Sequence, residues 1–471
     1  KQHTMKHFLF FAALLIANAI GAKVTLPHIM GNDMVLQQQS LCRLWGKATP
    51  GKSLTVTTSW NNRKYKTIAS ENGEWLVEVN TPKAGGPYKI TFDDGEKTIL
   101  DNILIGEVWI CSGQSNMEMP VQGFLGQPTN NSLETIAKAG NYPNIRFISL
   151  PQTDSTQPLS DCDATWKVSN SENIPTLSAN AYFFAKMLNE TLHVPVGIIV
   201  SCWGGSSIES WMSPEALQSV DGWDRKQAEA RKKIQQRPSL LYNGMITPIN
   251  KFSAKGFLWS QGEGNIQNYK LYAQLKTAMV KQWRTEWKNP NMPFYFAMSA
   301  PGKGHKGKPF LVEQQIKCLD MIPNSGIVLT TDLGKEFEYH YPQANIVGER
   351  FAILALSEAY QMKGFPAHGP LLEGVVIENG RAIVTYKDTP LGLCPTSYNI
   401  TGFEMAGADR KFHPAKARIV DKEAKLVVEC EEVPEPIAVR YAFHSWYETN
   451  LTNTFGLPAQ PFRTDNWDNV E

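Results

Sequence analysis

The sequence is short of the features that would mark a metalloprotein, a nucleic-acid binder or a membrane-spanning chain. It has no H-E-x-x-H segment, and its seven cysteines are scattered without a C-x-x-C pair. The usual spacings of zinc sites and dithiol redox centres are therefore missing, and no metal or cofactor is expected. An odd cysteine count leaves at least one thiol unpaired in an exported chain, and most of the seven read as small buried apolar residues. Charge of one sign is also lacking. The chain carries 46 Lys and Arg against 45 Asp and Glu, which gives no field to attract nucleic acid or an anionic membrane. Long hydrophobic runs are absent apart from 8–20, which follows Lys6 and His7 and ends among Ala17, Ala19, Gly21 and Ala22. A basic start, a short apolar centre and small exit residues mark a secretory signal peptide, and the run is too short for a comfortable bilayer span. Met5 reads as the natural start. Removal of 1–22 takes away Lys1 and Lys6 and leaves a net charge of −1. The expected product is an exported, periplasmic or extracellular protein of unknown oligomeric state.

What is present falls into three textures. Residues 23–102 hold short runs rich in β-branched and aromatic residues, such as "SLTVTTSW" and "EWLVEVN", divided by the turn signals "ENG" and "DG". These predict a small antiparallel sandwich. From 103 to 363, apolar runs of strand length at 103–111, 194–201, 256–260, 293–300 and 325–332 alternate with segments of helical period. Leu271, Leu275, Met279 and Trp283, spaced four apart, lie on one helix face. The alternation predicts an α/β fold with a parallel five-stranded sheet and helices on both faces. From 364 to 471 the β texture returns. The charged stretch 221–238 reads as a solvated helical insertion.

In an open α/β sheet the ligand crevice lies outside the carboxyl ends of the strands. The five strands are followed by "SGQSN", "SCWGGSS", "SQGEGN", "APGKGH" and "TDLGKEFEYH", a convergence of small and hydrogen-bonding groups at one edge. Ester hydrolysis needs a nucleophile, a base and donors for the oxyanion. Ser115 stands just past a buried strand, after a glycine that permits a tight turn. Ser112 still belongs to the strand end, and a Ser or Asn that merely caps the next helix remains an alternative. The text at 113–116 is G-x-S-N, without the second glycine of a G-x-S-x-G elbow, so a standard α/β-hydrolase is disfavoured. Of nine histidines only His305 and His340 follow the strand ends. His340 is preferred as base, because His305 sits in the loop "GKGHKGK".

The segment "GEVWICSGQSNMEMP" resembles the signature of the sialate O-acetylesterases, a branch of the SGNH-hydrolase superfamily. "GIIVSCWGGSSIESWM", "FLWSQGEGN", "TDLGKEFEYHYPQANIVGERFAILAL" and "VRYAFHSWYETNLTNTFGLPAQPFRTD" are similar to further segments of that family. The resemblance implies an SGNH-hydrolase-like sheet flanked by β-rich regions, with Ser115 as nucleophile and His340 as base. It implies oxyanion donors from the backbone N–H groups of Ser115 and Gly205 and from a side-chain amide, Gln261 first and Asn265 second. Glu263 would orient neighbours and, with Gln114, Trp203 and Arg350, would line the substrate site. The family commonly shows an acidic residue, then "IHP", then a lysine, whereas this chain reads "EYHYPQA". The acid partner is therefore open between Glu338, Asp332 and a Ser–His dyad steadied by a backbone carbonyl. A sialate carboxylate calls for an arginine, with Arg146, Arg284 and Arg350 in the right regions. Trp203, Trp211 and Trp259 either stack on sugars or fill the core. The activity implied is removal of O-acetyl groups from sialic acids through an acyl-enzyme. Two rivals are an esterase of acetylated xylan or another glycan, and an inactive carbohydrate-binding homologue.

Overall fold

The computed structural model describes residues 23–338, 340–396, 399–421 and 424–468. The expected signal peptide, 1–22, lies outside the described residues. At the centre is a largely parallel sheet in the order Ser325–Val328, Phe294–Ala297, Gly256–Ser260, Lys97–Gly113, Val196–Cys202 and Ile145–Ser149, closed at one edge by the short antiparallel strand Lys167–Val168. Six parallel strands thus replace the five expected. The added one, Ile145–Ser149, lies between a turn and a long irregular stretch, and Arg146 breaks its apolar run. Gly113 pairs with Cys202 on one side and Ser260 on the other, which brings three carboxyl ends level.

Successive side chains along these strands are sorted into two cores. Trp109, Cys111, Ile198, Val200, Leu258, Tyr295 and Val328 pack with Phe183, Phe184, Val347 and Phe351 of the helices Ala179–Leu192 and Ala344–Glu358. Val108, Ile110, Ile199, Phe257, Trp259, Phe294 and Ile327 face the other way, against Leu275, Met279, Trp283, Leu311 and Cys318 of Tyr272–Glu286 and Lys308–Met321. Full burial of a side chain such as Phe257 or Met279 contributes about 1.5–3 kcal/mol, so each four-residue repeat in these helices adds a comparable increment. Trp211 and Trp259, which could have stacked on sugars, are wholly buried and meet edge to face at 6.1 Å.

The boundary expected at 102/103 falls inside one continuous strand. Lys97–Gly113 runs for 17 residues; its first part pairs antiparallel with Gly85–Asp93 and parallel with Val35–Gln37, and its second part enters the parallel sheet. Glu107, at the changeover, is buried and accepts from Gln37 at 3.1 Å, Gln38 at 2.6 Å and Tyr360 at 2.8 Å. Among the described residues the C-terminal part forms two four-stranded antiparallel sheets and a two-stranded one. Within one, the buried Arg440 is gripped by both oxygens of Asp465 at 2.8 and 2.7 Å and lies over the Phe412 ring. This part seats on the central region through Arg463 and Glu313, at 2.7 and 2.9 Å, and through Gly302 N–H donating to Ser445 O at 2.7 Å. All seven cysteines are free, six of them buried. Among the described residues no helix is long and apolar enough to cross a membrane.

Gly106 marks where the two halves of the long strand join. A Cβ there would lie 2.0 Å from Pro195 O, and because that obstacle is backbone it cannot swing aside. Gly106→Ala is expected to destabilise the protein by about 1–3 kcal/mol, read as a lower denaturant midpoint with unchanged slope; an unchanged midpoint would contradict the close packing described.

Candidate active site

The rim begins at Gly113, whose φ is +138° and whose added Cβ would lie 2.1 Å from Ser260 O. Only glycine fits where backbone approaches so closely in this conformation. The chain then turns through the extended Gln114 into a single helical turn, Ser115–Glu118. Gln114 is the N-cap, so Ser115 is not there to cap the helix. Its hydroxyl has no hydrogen bond to another described residue, and its N–H lies among the first helical donors, which have no intrahelical acceptor.

Two further strand ends close around this turn. Trp203 N–H donates to Gly113 O at 3.1 Å, and a Cβ on Gly204 would lie 3.4 Å from Ser115 Cβ. Gly204 N–H is taken by the Glu118 carboxylate, whose pKa is raised by burial against the lowering effect of that bond and of Gln152. Gly205, at φ +71°, follows with its N–H unpaired among the described residues. From the third strand end, Gly264 N–H donates to Gln114 Oε1 at 3.2 Å, and a Cβ on Gly264 would lie 2.1 Å from Ser206 O.

His340 reaches the same rim through its neighbours. Tyr341 replaces the proline of the family pattern and is fully buried, its phenol pushed up to about 12 mainly by burial. Asn180 Nδ2 donates to the Tyr341 hydroxyl at 3.2 Å and to Asn116 O at 2.9 Å. One buried amide therefore holds the residue after His340 and the residue after Ser115. The loop that follows the Ser115 helix completes the setting: Asn130 N–H donates to Pro342 O at 2.8 Å, and the Phe124 ring meets the imidazole edge-on at 5.2 Å. His340 Nδ1 bonds Gln127 Oε1. An acceptor there requires the proton on Nδ1 and leaves Nε2 free to receive one. Burial lowers the His340 pKa, and the nearby Glu263 charge acts in the opposite direction.

Several expectations need correction. Asp332 is gripped by Arg350 through both oxygens at 2.8 and 2.7 Å, and Arg350 also donates to Leu329 O. The pair occupy each other, so Asp332 is not the partner of His340 and Arg350 is not open to a substrate carboxylate. Arg146 is likewise bonded to Asp33 and Pro143 O, and Arg284 to Met292 O and Asn324 O. Glu338 gives one oxygen to Lys335 at 3.0 Å, while its Oε2 is buried without a partner. Gln261 Nε2 donates its two hydrogens to Ser206 O at 3.0 Å and Asn265 Oδ1 at 2.9 Å. Asn265, fully buried, donates to Glu209 at 2.7 Å and accepts from Ile208 N–H. These two amides brace the loops rather than turn toward an oxyanion. Gln114 Nε2 has no partner among the described residues, Glu263 has no hydrogen bond or ion pair among them, and Trp203 packs half-buried on the core.

The sequence reading passed over Gln127, Asn180, Glu118, Glu209 and Arg231. Each is a common polar residue in a loop or helix, and nothing local marks it. The 221–238 stretch is not a simple solvated insertion, because Arg231 within it bonds the buried Glu209 at 2.7 Å.

The arrangement has relatives. The family model described as carbohydrate esterase, sialic acid-specific acetylesterase matches residues 105–356. The sialate O-acetylesterase of Pongo abelii is 32% identical, and that of Homo sapiens 31%, each over 92% of this chain and 91% of the relative. The crystal structure of a carbohydrate acetylesterase from Xanthomonas citri superposes with a TM-score of 0.87 at 31% identity, covering 94% of this chain and all of the other. With a family model matched over more than half its length, and relatives above 30% identity along nearly all of it, the chain belongs to the sialic acid-specific acetylesterase family of carbohydrate esterases.

Proposed function

We propose that this esterase removes O-acetyl groups from sialic acids by way of a covalent acetyl-serine. The observation that carries the reading is the shared hold of Asn180 on Asn116 and Tyr341, which ties an unbonded serine hydroxyl and an imidazole to one rim. Ser115 Oγ attacks the acetyl carbonyl while His340 Nε2 takes its proton. The oxyanion is met by the N–H groups of Ser115 and Gly205, both without an acceptor of their own. Collapse expels the sugar alcohol, which receives the proton from His340. Water then repeats the sequence on the acetyl group and frees acetate.

Gln127 orients the imidazole, and the Glu263 charge favours the imidazolium that forms. Glu338, with one buried oxygen unpartnered, is the carboxylate we assign to a triad. The leader at 1–22 supports export, and the β-rich flanks serve as support for the catalytic region. A second reading, an esterase of acetylated xylan or another uncharged glycan, is favoured by one observation: Arg146, Arg284 and Arg350 are all engaged within the protein.

Ser115→Ala is expected to lower kcat by about 10⁴-fold or more, measured as acetate release from 9-O-acetyl sialic acid and from acetyl-xylan. Wild-type-like turnover in that variant would sink the serine mechanism, an inactive wild type would leave only a binding protein, and a hundredfold preference for xylan would move the substrate. Gln127→Ala should lower kcat about 10²-fold through a misaimed ring, whereas Asp332→Asn should reduce stability and leave kcat per folded molecule nearly unchanged; the reverse pattern would restore Asp332 as the acid. The base works only when neutral and its pKa lies below the ordinary 6.5. The rate should therefore hold near neutrality and fall as pH drops through a value under 6.5, and Glu263→Gln should carry that limb lower still. A limb above 6.5 in the kcat/KM profile would contradict the assignment.

A further inference from the structure

Residues 231–237 form a strap across the outside of the second strand-end loop, and its anchor is a buried ion pair. Glu209 has no exposed surface; its Oε1 accepts from Arg231 Nη2 at 2.7 Å and Asn268 Nδ2 at 3.3 Å, and its Oε2 accepts from Asn265 Nδ2 at 2.7 Å. Burial alone would raise its pKa, yet the bonds from Arg231 and Asn265 bring it below the ordinary carboxylate range. Arg231 turns its other nitrogen to Ser207 Oγ at 2.7 Å and Gln236 O at 3.0 Å. The strap is thereby fixed at both its backbone and its anchor.

What the strap holds is the pair of glycines beside the nucleophile. Gln235 Nε2 donates to Gly204 O at 3.3 Å, and Gln236 Nε2 donates to Gly205 O at 3.0 Å. With Gly204 N–H already on Glu118, the peptides flanking Gly205 N–H are pinned by their carbonyls, and that N–H is left unpaired. Glycine at φ +71° has few steric restraints of its own, so these side-chain bonds, with the turn closed by Ser206 N–H on Trp203 O at 3.3 Å, set the direction of the donor.

We infer that Arg231 is a positioning residue of the ester-cleaving centre: by locking the strap to Glu209 it aims the Gly205 N–H at the oxyanion through Gln235 and Gln236. This rests on the serine-esterase reading above. Arg231 and its strap touch neither the attacking oxygen nor the base; the effect runs through the glycine backbone. Lysine can replace the charge but not the fork of donors.

The test compares wild type, Ser115→Ala, Arg231→Met, Arg231→Lys and Gln236→Ala in acetate release from 9-O-acetyl sialic acid, with active sites titrated and thermal unfolding recorded. Arg231→Met should lose about 10²-fold in kcat per active site, the cost of a small misplacement, with KM little changed. Affinity for an alkyl boronic acid, whose tetrahedral adduct with serine presents an anionic oxygen, should weaken in parallel, while affinity for the product sialic acid stays constant. Arg231→Lys should recover part of the loss, and Gln236→Ala, which removes no charge, should fall in the same direction. If Arg231→Met does not fold, Gln236→Ala carries the test alone. Unchanged kcat per active site in the folded variants, or a loss confined to KM, would overturn the inference while leaving the esterase intact. An inactive wild type, or a fully active Ser115→Ala, would overturn the esterase reading and this inference with it.

Discussion

A carboxylate that cannot reach water, Glu209, sets the order of the rim. Burying an ion without partners costs several kcal/mol, and the fold meets that demand from three directions at once: Arg231, Asn265 and Asn268. Arg231 belongs to the 231–237 strap and the two asparagines to the single segment Glu263–Leu271, so satisfying Glu209 ties these two segments to the one that carries it. Asn265 passes the order inward, accepting from Ile208 N–H and from Gln261, which in turn is held by Tyr272. The groups that could do chemistry, Ser115 Oγ, its N–H and that of Gly205, are the ones this web leaves alone.

The same contrast separates what the sequence makes legible from what it does not. Strands 256–260 and 194–201 are readable because burial on both faces makes them apolar runs, and the helix carrying Leu275, Met279 and Trp283 because burial of one face imposes a period. In Ile145–Ser149 a charged residue, Arg146, interrupts the run. Ser115 stands just past a strand end and His340 in the loop that follows another, places that the fold rules single out. Nothing singles out Gln127 and Asn180, since their significance lies in contacts with residues 213 and 161 positions away in the chain, and an amide in a loop carries no sign of such a contact. Asp332 attracted attention by its position at a strand end. Its actual partner, Arg350, is on the helix that follows, and the pair answers a need for charge compensation rather than for catalysis.

The departure at "EYHYP" has a physical account as well. The family's proline would stiffen the chain after the histidine by restricting its dihedrals. Here Tyr341 takes over, with its ring in the core and its hydroxyl on Asn180. The proline now stands one residue later, at Pro342, and the buried phenol binds the chain to the helix Ala179–Leu192, and so to Asn116. The imidazole is thus tied through packing to the surroundings of Ser115.

One consequence of the strand Lys97–Gly113 concerns inheritance and engineering. A rod of 17 residues, paired at one end with Gly85–Asp93 and Val35–Gln37 and presenting the Ser115 turn at the other, cannot be divided between two modules. The N-terminal region is thus no detachable ornament that could be exchanged between relatives like an appended binding module. Grafting a foreign N-terminal region would reset the twist and register of the very beam from which the Ser115 turn is cantilevered.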